Sequence, residues 1–74
     1  MNRKEIMLAL RQRRQSMKLT SEEVAVISGY HRNSILMYEN MRRAIPLHAA
    51  CDIAEALGLE LVLRDRATGD EVRP

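Results

Sequence analysis

The sequence predicts an all-α fold of four helices followed by a short C-terminal β-strand. Cap residues and glycines divide residues 3 to 58 into four stretches whose apolar side chains recur every three or four positions. The apolar content is Leu, Ile, Val, Met and Ala, with no Trp or Phe and two Tyr, which favours a helical core over a sandwich or barrel. Past Gly58 the period changes from helical to two. At 74 residues the chain builds one small domain. Such a domain buries about 60 to 65% of its unfolded surface, so it is expected to be marginally stable alone and helped by a partner chain.

The first helix is expected from about Arg3 to Ser16, with Ile6, Leu10 and Met17 on one stripe and Leu19 sealing the bottom of the core. Thr20 stands three residues before Glu23 as a capping box, which opens the second helix near Ser21. Val24, Ala25 and Ile27 carry its apolar stripe to Ser28, and Gly29 supplies the left-handed residue that ends it. His31, Arg32, Asn33 and Ser34 form the first turn of the third helix. Ile35 and Tyr38 recur along that helix, and Glu39 and Asn40 close it before a basic loop that ends at Pro46. Leu47, Ala50, Ile53, Ala54 and Leu57 mark a fourth helix that starts past Pro46 and stops at Gly58.

Residues 1–58 thus form one domain, with a helix-turn-helix motif at about 21–40, and residues 59–74 form a strand and tail. In the tail Leu59, Leu61 and Leu63 alternate with Glu60, Val62 and Arg64, giving one apolar face. The strand either folds back through Ala67 to Asp70 onto Glu71 to Arg73 as a weak hairpin, or pairs with the same strand of a second copy. Pairing between copies is favoured, because three leucines on one face need a partner and the returning segment is short and polar.

Catalysis finds no support. His31 and His48 fall on different helices with no clustered cysteines or carboxylates at ligand spacing, so no metal, cofactor or enzymatic centre is expected. Cys51, the single cysteine, lies within a helical pattern and is expected as a small buried or half-buried thiol. No apolar run suits a signal peptide or membrane span, so a cytoplasmic protein is expected.

The net charge of +2 conceals an asymmetry. Residues 1–46 hold nine Lys/Arg against four carboxylates, giving +5, and residues 47–74 hold three Arg against six carboxylates, giving −3. The front of the molecule therefore attracts a polyanion and the back does not. The basic half coincides with two short helices joined by a tight turn, the arrangement that holds one helix in the major groove of DNA.

These residues resemble the Cro and lambda-repressor type of helix-turn-helix, also called the XRE family. LRQRRQSMKLT (residues 10–20) is similar to the family's first helix and its arginine. EEVA, the SG turn and the glutamate of YEN match within the motif, and IPLHAACDIAEALGL (residues 45–59) resembles the helix that closes the domain. The tail, where many members carry a fifth helix, resembles the subset that ends in a short strand used for dimerisation, some antitoxins among them.

The resemblance implies double-stranded DNA as partner and assigns roles. Arg32, Asn33 and Met37 occupy positions similar to the base-contacting set, with Ser34 and His31 beside them. Arg32 has the donors to grip guanine, Asn33 the amide to pair with adenine, and Met37 or Leu36 the apolar surface for a thymine methyl. Ser21, at the first turn of the second helix, and Asn40, Arg42 and Arg43, after the third, are the expected phosphate contacts. Members often have glutamine at the position of Ser21 and glycine at that of Met41. Arg14 and Glu39 match the family's ion pair, which orients the reading helix. Leu59, Leu61 and Leu63 are the expected dimerisation residues.

Three functions fit. The first is a small homodimeric repressor on a roughly palindromic operator, since the chain leaves no room for an effector domain. The second is an antitoxin that binds DNA and a protein partner, using Met7, Leu8, Ile27 and Leu36 as side chains surplus to the core. The third is an interaction module that kept the fold and lost DNA binding.

Overall fold

Four helices and a terminal hairpin appear in the computed structural model, which describes all 74 residues. The helices are α1 (Arg3–Ser16), α2 (Ser21–Ser28), α3 (Arg32–Glu39) and α4 (Leu47–Ala56); the hairpin joins β1 (Leu63–Arg64) to β2 (Glu71–Val72). Capping boxes open α1 and α2. Asn2 accepts from the Glu5 amide while Glu5 reaches back, and Thr20 and Glu23 do the same at α2. The Thr20 bonds hold the Glu23 carboxyl below its usual range.

A left-handed residue ends every helix: Lys18 (φ 58°), Gly29 (φ 78°), Met41 (φ 60°) and Gly58 (φ 73°). After α4 the Gly58 amide donates to Glu55 and the Leu59 amide to Ala54, at 3.0 and 2.8 Å. After α3, Met41 donates to Tyr38 and Arg42 to Met37, at 3.1 and 3.0 Å. Both are Schellman closures that satisfy carbonyls otherwise orphaned. Met41 therefore keeps the turn geometry that glycine provides more easily, with a Cβ where the conformation disfavours one.

The core gathers Met7, Leu10, Val24, Ala25, Ile35, Tyr38, Ile45, Ala49, Ala50, Ile53, Ala54 and Leu57. Three alanines of α4 are 2% exposed or less, so the helix sits close against its neighbours. Two stripe assignments change. On α1 the inward stripe is Met7, Leu10 and Arg14, with Ile6 at its edge; Met17 caps the helix and is exposed. On α4 Leu47 is 72% exposed in the first turn, and Ala49 takes the inward position.

The tail also differs from expectation. Leu59 belongs to the α4 closure and packs half-buried on the core, so the alternating run is shorter than the three leucines suggest. Only Leu63 and Arg64 form a ladder, and they take the hairpin alternative, with Leu63 opposite Val72 and Arg64 opposite Glu71. The turn explains the difference. Asp65 Oδ1 accepts from the amides of Ala67 and Thr68, the Gly69 amide returns to the Asp65 carbonyl, and Gly69 takes φ 77°. That closure brings β2 back despite its short, polar sequence.

Candidate nucleic-acid interface

Side chains and main chain at both ends of α3 fix its position. At its start His31 caps the helix, Nδ1 accepting from the Asn33 amide at 3.2 Å. Immediately before, the Tyr30 hydroxyl donates to Asp52 of α4 at 2.7 Å, and this bond pushes the phenol up to about 12. At its end Glu39 is gripped by Arg14 of α1. Nε donates to Oε2 at 2.9 Å and the second arm to Oε1 at 2.7 Å, while the third donor group reaches the Leu19 carbonyl at 2.8 Å. The two side chains are 14% and 8% exposed, so this planar fork works largely out of water. Arg11 lies 3.9 Å from the same carboxylate from the solvent side.

Packing decides what α3 presents. Ile35, Tyr38 and Glu39 face inward, which turns His31, Arg32 and Asn33 outward; Ser34, Leu36 and Met37 lie half-buried between. All four intrachain ion pairs end on Glu39 or Glu71, so Arg32, Arg42 and Arg43 carry unneutralised charge. Asn40, Arg42 and Arg43 are exposed just past the helix, and Ser21 is half-buried at the first turn of α2 beside the exposed Glu22 and Glu23. A phosphate at Ser21 would therefore meet its hydroxyl and amide next to two carboxylates.

Other expected residues fall elsewhere. Met7 is buried in the core, because it and not Met17 continues the stripe of α1, and Leu36 is half-buried. Leu8 and Ile27 remain exposed. Cys51 is exposed on α4, not buried, since the inward positions there belong to the alanines, Ile53 and Leu57. It lines a mixed cleft in which Leu59, Leu61, Leu63 and Val72 stand beside Glu55, Glu60, Glu71 and Arg73. The Tyr30–Asp52 bond has no signature in the sequence, as no local spacing signals a pair 22 residues apart. No helix is long and apolar enough to cross a membrane.

A helix-turn-helix family model matches residues 10–63, which covers α1 from its middle, the motif, α4 and the start of the hairpin. The chain belongs to this family, the Cro and lambda-repressor (XRE) type of helix-turn-helix, and is a DNA-binding regulator of that type. No curated protein matches it.

Proposed function

We propose that the protein is a repressor that binds a two-fold symmetric operator as a homodimer and reads it with α3. The observation that carries this reading is an exposed polar first turn on a helix anchored at its end. Arg32 and Asn33 stand exposed where α3 begins, and Glu39, which closes the helix, is locked to α1. Arg32 is bidentate to guanine O6 and N7, Asn33 to adenine N6 and N7, and Met37 meets a thymine methyl, with Ser34 and His31 at the edges of the contact. Ser21 on one side and Asn40, Arg42 and Arg43 on the other hold the phosphates that set the register. An operator that overlaps a promoter lets occupancy alone exclude a polymerase, and repression then requires no other surface.

Dimerisation uses the tail. β1 has one strand edge unpaired, and Leu63 within it and Leu61 just before it are exposed at the cleft, whose rim also carries Glu60 and Glu71. Two copies joined there bury those side chains across a two-fold axis and set two α3 helices on one face of a duplex, about 34 Å apart. Sedimentation velocity with and without a duplex, combined with a salt titration of binding, tests the reading. Two protomers per duplex and an affinity that falls steeply with salt are expected; salt-insensitive binding, or one protomer per site, contradicts it.

A further inference from the structure

We propose that Arg3, Lys4 and Arg43 form a second phosphate grip, which holds the DNA backbone flanking the bases read by α3; the proposal rests on the DNA-binding reading above. Arg3 and Lys4 from the first turn of α1 and Arg43 from the loop after α3 line one cleft, with Met7, Tyr38 and Ile45 among its walls. The lining contains three cations and no carboxylate. None of the three is engaged by an ion pair, since every pair in the chain ends on Glu39 or Glu71. Glu5, the carboxylate nearest in sequence, is folded back onto the Asn2 amide at 3.3 Å.

Helix stability does not account for these cations. Positive charge at a helix N-terminus opposes the helix dipole; Glu22 and Glu23 at the start of α2 and Arg13 and Arg14 in the last turn of α1 follow that rule, whereas Arg32, which opens the reading helix, departs from it as Arg3 and Lys4 do. Arg3 and Lys4 break the rule where Arg43 and the exit of α3 adjoin them. A local preference overridden at an exposed site points to a partner outside the chain. That partner is the polyanion already placed against α3, because Arg43 joins this cleft to the loop that follows the reading helix.

The full-length Arg3→Ala/Lys4→Ala variant tests the grip on two duplexes of equal length, one selected by the wild-type protein and one scrambled. Affinity for both falls about tenfold at low salt, and the slope of log K against log salt becomes shallower by roughly 0.9 for each phosphate no longer neutralised. The charge-preserving Arg3→Lys/Lys4→Arg variant keeps the wild-type slope, and neither variant lowers the melting temperature. An unchanged slope in the alanine variant, or weakening confined to the selected duplex, overturns the grip while leaving the DNA reading intact. Failure of the wild-type protein to bind either duplex overturns both.

Discussion

Arg14 holds both carboxylate oxygens of Glu39, 25 residues further along the chain, and thereby ties the last turn of α3 to α1. The same guanidinium reaches the Leu19 carbonyl, so one side chain joins the first helix, the loop before α2 and the end of the reading helix. Glu39→Ala leaves the guanidinium largely buried without its counter-charge, and Arg14→Ala leaves the buried carboxylate with only Arg11, 3.9 Å away on the solvent side. Each is expected to cost about 3 to 5 kcal/mol, because a pair desolvated on folding is far more expensive to break than to replace. For a domain of this size that deficit unfolds much of the population. Chemical denaturation measures it, and unchanged midpoints in both variants would exclude the bridge as an anchor.

Met41→Gly is expected to stabilise the protein. The position holds φ 60° to complete the closure of α3, and a side chain there costs about 1 to 2 kcal/mol. Glycine relieves that strain and gives back roughly 0.5 to 1 kcal/mol through the greater freedom of the unfolded chain. A gain of up to about 1.5 kcal/mol follows, read as a higher melting temperature. Lys18→Gly, at φ 58° after α1, shifts it in the same direction.

Leu61→Lys/Leu63→Lys separates folding from association. Both leucines are exposed in the single chain, so the helical domain retains its melting transition. Two added charges on the proposed dimer face prevent its burial. The expected species in sedimentation is a monomer that binds a single half-site weakly; a dimer of wild-type strength would place the interface elsewhere.

Tyr30 provides a pH-dependent signature of the tie between the start of α3 and α4. Its hydrogen bond to Asp52 favours the neutral phenol, raising its pKa to about 12 from the ordinary 10.0. A folded-state value above the unfolded one means that the contribution is fully present below about pH 10 and is lost as pH rises towards 12. Phenolate absorbance should show Tyr30 titrating near the upper value and moving down in Asp52→Asn. An unshifted titration in that variant would mean that the bond is not formed in solution.

The sequence-readable parts of the fold are those set by local chemistry. Thr20 with Glu23, Gly29 and Gly58 define helix ends because a cap or a glycine acts within a few residues of itself. Lys18 and Met41 do the same work without the residue type that signals it, so their turns are not legible as left-handed. Choosing Met7 over Met17, or Ala49 over Leu47, requires knowing which face meets a neighbour, and apolar periodicity alone does not distinguish adjacent positions. The hairpin is hard to read because its stability lies in the Asp65 turn and not in the composition of β2. At the interface, exposure of Arg32 and Asn33 follows from the inward positions of Ile35 and Tyr38, which sequence does reveal. The Tyr30–Asp52 bond and the cleft shared by Arg3, Lys4 and Arg43 arise only from the packed arrangement.

Selection of duplexes from a random-sequence library by the wild-type protein and by Arg32→Ala/Asn33→Ala tests the central claim most directly. The account predicts that the wild-type protein enriches a two-fold symmetric site, and that the variant retains salt-dependent binding but no longer selects that site. No enrichment by the wild-type protein at low salt, or the same site selected by both proteins, would contradict it.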